Sequence, residues 1–254
     1  MILQLTPNQW SQVIDSYVLC MLGLFAAAFY GLATQSRLLF RYRHIMVLAA
    51  LLCLIDVASY LQLILTFTKA TTDNAVLLST GNLGFSNISR YSVWVIAVPL
   101  QVNILISVLM FDTKLARSLK RRSTIMIIGM MLSGFLGENW PQYRVIFGCA
   151  STIVFIFVIA LLFKPFQSSL DSQTDEVASL FRQLRLYVIN LWCTYPALYF
   201  LSFAHTFTSR AATFFVAQQV ILAIVDLISK AYFALQIFKI AQLKSISDGM
   251  PDLH

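Results

Sequence analysis

Apolar residues run along this chain in seven long blocks, each closed by a polar segment. The blocks cover roughly residues 12–34, 44–68, 88–110, 124–139, 143–163, 186–205 and 212–238. Several exceed the ~18 apolar residues that suggest a membrane-spanning helix. The fourth is short and the seventh long. Blocks four and five are parted only by "ENWPQ", a tight polar turn. No internal repeat and no low-complexity segment interrupts the pattern, which predicts one helical domain over residues 1–254.

Composition agrees with an all-α membrane protein. The chain is 59% hydrophobic and 11% charged, where a soluble domain carries about a quarter charged residues. The start, "MILQLTPNQWSQVID", lacks a basic n-region, so no cleavable leader is expected. Charge then sets orientation. The connections after blocks one, three and five and the C-terminal end carry Arg37, Arg41, Arg43, Lys114, Arg117, Lys120, Arg121, Arg122, Lys164, Arg182, Arg185, Lys239 and Lys244. Lys69, Arg90, Arg144 and Arg210 remain for the other side. Basic residues stay cytoplasmic, so the N-terminus lies outside and the C-terminus inside. The net charge of +7 reflects this bias and the attraction of anionic lipid. Basic residues spread over separate loops exclude a nucleic-acid surface.

The seventh block contains "VDLISKAYFALQ", with Lys230 four residues after Asp226. A charged lysine at mid-bilayer costs roughly 2.5–3.5 kcal/mol on an insertion scale. Asp226 lies one turn away on the same face and offsets part of that cost. The ordinary reading is a structural ion pair inside a bundle. The chemical reading is that a desolvated lysine condenses with an aldehyde as a Schiff base, with Asp226 as the anion for a protonated imine. Trp94, Trp192 and Tyr195 lie deep in blocks three and six, where they can wall a long apolar slot.

In order along the chain stand "RYSVW" with Pro99 five residues after Trp94, "WCTYP" from Trp192 to Pro196, and "DLISK" ending on Lys230. This set resembles the microbial rhodopsins over essentially the whole chain, and "GFLGE" at 134–138 most resembles their proteorhodopsin branch. The resemblance implies a seven-helix retinal-binding bundle with all-trans retinal on Lys230. Trp94 and Trp192 would sandwich the polyene. Met130, Ser133, Gly134, Ser151, Tyr195, Pro196 and Tyr199 would line the slot, with Met130 and Ser133 equally suited to helix packing. Tyr60 and Tyr195 would bond around Asp226, with Arg90 on the extracellular side. Gln101 stands where a glutamine accompanies blue absorption, or it merely bonds a neighbouring helix.

The chain departs from the family's outward proton pumps. Their acceptor aspartate on span three is Val93 here, their threonine four residues on is Ala97, and their cytoplasmic donor is Ile104. None of these can accept, orient or donate a proton. The hydroxyl that chloride pumps keep is missing too, although Ser92 is adjacent. In its place Asp56 sits mid-span in "LLCLIDVASYLQL". Buried carboxylates at that depth are expensive and functional. Aligning Tyr60 with the family tyrosine puts Asp56 beside the lysine, as a second counterion or a gate. Otherwise it is a neutral acid bonded to Ser59 or Gln62. A branch of proteorhodopsin relatives that lacks the span-three carboxylate is associated with flotillin-like proteins, and the chain resembles that branch.

The expected function is therefore a light-sensing or regulatory photoreceptor. The alternatives are a light-gated anion channel, ion transport through Asp56, and a seven-helix protein without photochemistry. The expected partners are membrane lipid, a membrane protein and further copies of the chain, in a bacterial inner membrane. Cys20, Cys53, Cys149 and Cys193 fall inside spans at no metal-like spacing and read as small core residues. Glu138 and Asp15 read as solvated at the outer edge. Asp112 starts a cytoplasmic loop, and His44 and His205 mark span ends. Asp175 and Glu176 open a capped helix. No metal site or hydrolytic triad is visible, and the residues after Lys239 are too few for an output domain.

Overall fold

The computed structural model describes residues 2–72, 77–79, 84–109, 113–204 and 210–249, so Asp112 and His205 lie outside the described residues. Within these are seven long helices: α1 (Pro7–Thr34), α2 (Phe40–Ala70), α3 (Ile88–Val108), α4 (Thr113–Asn139), α5 (Arg144–Leu170), α6 (Asp175–Ala204) and α7 (Ala211–Ser247). Each packs on the next, and α7 returns to α1, which closes a ring around a buried interior. Exposed Leu, Ile and Phe side chains, such as Phe29, Ile96, Ile146 and Ile156, cover the outside, where lipid tails replace water. The protein is a multi-pass membrane protein.

Local chemistry starts and stops the helices. Thr6 and Gln9 form a reciprocal capping box at the head of α1, and Pro7 fills the first position, where its missing N–H is not needed. Val177 N donates to Thr174 Oγ1 ahead of the acidic first turn of α6. Helices α4 and α6 run eleven residues further toward the cytoplasm than their apolar blocks. Lys and Arg are good helix formers, so the backbone stays helical beyond the bilayer edge. For the same reason α4 and α6 are the two described helices whose composition alone does not mark them as spans.

A three-stranded sheet was not expected. Strands β1 (Ile2–Gln4), β2 (Thr71–Thr72) and β3 (Leu77–Ser79) pair antiparallel in the order β1-β3-β2, with Leu3 opposite Leu78. The sheet follows the outer ends of α1 and α2. Beneath it Phe67 stacks on Trp10 and Phe215 and meets the edge of Phe85, an aromatic plug at the outer end of the bundle.

Two cysteines differ from expectation. Cys20 and Cys53 are buried, but Cys149 and Cys193 are exposed on the lipid side of α5 and α6. A helix shows only one face to the core, and these two fall on the other. Glu138 also differs. It is mostly buried and ion-paired with Arg144 across the α4–α5 turn.

Candidate functional site

An apolar slot lies between α3, α4, α5 and α6 and ends on Lys230 of α7. It encloses about 760 Å³ of empty space, part of it open to the outside. Trp94 and Trp192 face it from α3 and α6, with the Trp94 and Tyr195 ring centroids 5.1 Å apart. Gln101, Met130, Gly134, Ser151, Tyr195, Pro196 and Tyr199 also line it. Two glycines make room for the aromatic walls. A Cβ on Gly134 would come within 2.7 Å of Tyr91 Cε1, and one on Gly137 within 2.0 Å of Tyr199 Oη.

Val93 and Ser133 do not line the slot. Val93 packs against the core from a half-buried position. Ser133 turns its hydroxyl to the Phe147 carbonyl at 2.9 Å, tying α4 to α5. Ser151 makes the matching tie, to the Met130 carbonyl at 3.0 Å, while still facing the slot. A serine in a span must satisfy its hydroxyl, and the neighbouring backbone is what it finds. Ser92 is exposed on the opposite face of α3.

Lys230 sits in a π-helical turn, Ile228–Tyr232, inside α7. Such a turn shifts the bonding pattern and frees carbonyls for other partners. Gln101 Nε2 donates to the Ser229 carbonyl at 2.7 Å, and the Cys53 thiol approaches the Lys230 carbonyl at 3.8 Å. So α3 and α2 both clamp the turn that carries the amine.

Around the amine the two carboxylates are treated differently. Asp226 ion-pairs with Lys230 and accepts from Tyr195 Oη at 2.7 Å, Tyr60 Oη at 2.8 Å and an Arg90 guanidinium nitrogen at 3.1 Å. Arg90 is 1% exposed. It is held further by Gln219 Oε1 at 3.2 Å and by the faces of Tyr17 and Tyr60. Tyr17 Oη closes the network by donating to Gln219 at 2.8 Å. Asp56 Oδ2 lies 3.0 Å from Lys230 Nζ, a charge contact without hydrogen-bond geometry, and neither of its oxygens accepts a hydrogen bond. Ser59 and Gln62 leave it unbonded, and Gln62 points outward.

Sequence reasoning missed Tyr17, Gln219 and Ser229. Gln219 carried a usable signal, since it stands seven residues before Asp226 and shares its helix face. Tyr17 carried none, because its partners are on α7 and α3.

The sequence and the fold both have known relatives. The family model for bacteriorhodopsin-like proteins matches residues 12–243. A solved structure of thermophilic rhodopsin superposes with TM-score 0.90 at 26% identity, over 98% of this chain and 100% of that one. Sensory rhodopsin III of Haloarcula marismortui is 29% identical over 133 residues, 49% of this chain and 54% of that protein. Archaerhodopsin-2 of Halobacterium sp. (strain aus-2) is 29% identical over 149 residues, 56% of this chain and 54% of that protein. The matched stretch thus spans about half the length of these curated relatives.

Proposed function

The chain belongs to the bacteriorhodopsin-like family, and from that premise we propose that it is a light-sensing or regulatory photoreceptor and not an outward proton pump. Retinal is the family's cofactor, and the slot fits it: long, apolar, walled by two tryptophans and closed by a buried primary amine. Bound there, retinal would supply a light-absorbing polyene and an aldehyde able to condense with the Lys230 amine with release of water. The chain's own residues do the rest. Trp94 and Trp192 hold the polyene from two sides. Asp226 balances the positive charge at Lys230 Nζ, and Tyr60, Tyr195 and Arg90 fix that carboxylate.

The observation that carries the reading is on α3. The position of the pump acceptor is Val93, Ala97 one turn on is buried and apolar, and Ile104 on the cytoplasmic side is fully buried. No group on that helix takes a proton from the amine or returns one from the cytoplasm. Light would then change charge contacts and hydrogen bonds around Lys230, shift the bundle between two states and pass that shift to a membrane partner.

The test is a light-driven pH and current measurement in cells expressing the pigment, with and without chloride. The expected result is little acidification and no photocurrent. Robust acidification that an uncoupler abolishes overturns the reading and makes Asp56 a substitute acceptor. A chloride-dependent passive current replaces it with a light-gated anion channel.

A further inference from the structure

A second, differently built groove opens at the cytoplasmic end of the bundle, between α2, α3 and α4. It is wide open to the surroundings and is lined by His44, Asn103, Ser107, Arg117, Lys120 and Arg121, among others. Arg117, Lys120, Arg121 and Thr124 follow the i, i+3, i+4, i+7 spacing, so one face of α4 presents all three cations to the same groove.

Arg117 and Arg121 are exposed at the groove and Lys120 is half-buried in it. Among the described residues Arg41, Arg90, Arg144 and Lys230 each have a carboxylate within ion-pair distance. Among the described residues Arg117, Lys120 and Arg121 have none, and no described acidic residue lines the groove. Lys120 is the telling member. Its ammonium is half-buried and donates to Ser107 Oγ at 2.8 Å, which uses one of its three N–H groups. Burial holds that ammonium below its ordinary value. Ser107 donates its own hydroxyl hydrogen bond to the Asn103 backbone carbonyl at 2.7 Å. A cation drawn out of water costs free energy unless an anion compensates it.

We propose that this groove is a binding site for a phosphate group, presented by an anionic phospholipid headgroup or by a free phosphorylated molecule. Two guanidinium forks and an ammonium match a multivalent oxyanion with several acceptor oxygens better than a single carboxylate. The location fits as well. The apolar block of α4 begins at residue 124, so residues 117–121 stand where the bilayer gives way to headgroups. General attraction to a basic cytoplasmic face would spread over every basic loop. Here the unpaired cations converge on one groove.

The experiment uses the retinal-loaded protein in a neutral detergent. Native mass spectrometry reads binding of dioctanoyl phosphatidic acid against dioctanoyl phosphatidylcholine. The groove variant carries Arg117→Gln, Lys120→Gln and Arg121→Gln. The control removes equal charge elsewhere through Arg37→Gln, Lys164→Gln and Arg182→Gln, all at exposed positions. The groove variant should bind phosphatidic acid about a hundredfold more weakly, and the control variant within about threefold of the unmodified protein. Lys120→Gln alone should lose about fivefold and keep the visible band, which separates lost binding from lost folding. Pyrophosphate that displaces the lipid identifies free phosphorylated molecules as ligands. Lipid that stays bound against pyrophosphate identifies the headgroup. Equal losses in groove and control variants, or no preference for phosphatidic acid over phosphatidylcholine, overturn the proposal.

Discussion

The bundle is built differently on the two sides of Lys230. Toward the outside Asp226 receives four donors, and Arg90, Gln219, Tyr17 and Tyr60 extend them into one buried network. Toward the cytoplasm much of the interior is apolar, with Val102, Ile104, Leu105, Ile106, Val108 and Ile237 buried. On that side the amine meets only Asp56. Helix α2 runs from the cytoplasm outward, so Asp56 lies one turn inward of Tyr60. The contrast teaches what a hydrogen-bond shell does to a buried charge. Bonds to a charged group contribute roughly 1.5–3 kcal/mol each. Four of them hold the Asp226 carboxylate in one position. Asp56 has only a charge contact, so its state depends on what happens at Lys230. The outer side is a counterion held by four donors, and the inner side offers the amine one acid that no hydrogen bond fixes.

The largest effect removes the centre that both sides share. Lys230→Ala should abolish the visible band of protein reconstituted with all-trans retinal. A normal, hydroxylamine-sensitive band in that variant would show that retinal is held elsewhere, and the comparison would lose its meaning.

Next comes the saturated side. Asp226→Asn removes the anion that Tyr60, Tyr195 and Arg90 were arranged to hold. The variant should convert, at neutral pH, from the long-wavelength pigment to a near-ultraviolet form. Absorption spectra across a pH series check this.

Asp56→Asn sharpens the contrast. It should move the same spectral titration in the same direction by a smaller amount, because Asp226 and its shell remain. A larger shift in Asp56→Asn than in Asp226→Asn would invert the roles of the two carboxylates.

The smallest expected effect is at Gln101, which lines the slot and also bonds the Ser229 carbonyl. Gln101→Leu replaces an amide dipole beside the polyene with an apolar side chain. Absorption should move to longer wavelength with the band intact. An unchanged spectrum in a well-folded variant would leave Gln101 as a clamp on the π-helical turn alone.

Much of this molecule was readable one residue after another. Apolar block length set the seven helices, basic residues set the orientation, and the i, i+4 spacing put Asp226 and Lys230 on one face. All of these signals are local, since a helix makes neighbours of residues three, four and seven apart. That locality also explains what went unread. The segments flanking α1 and α2 are strands because they pair with Leu77–Ser79, a partner distant from β1 in the chain. Cys149 and Cys193 turned outward because the packing partner, not the residue type, chooses which helix face is buried. Ser133 left the slot for the Phe147 carbonyl, although Gly134 beside it stayed. By itself the sequence determined that a lysine and an aspartate share a helix face inside a membrane. Only the tertiary structure decided that Tyr17, Tyr60, Arg90 and Gln219, from four different helices, close around one carboxylate while Asp56 is left without a hydrogen bond. Those contacts join residues far apart in the chain, and their geometry is set by how the helices pack, which no spacing along one helix encodes.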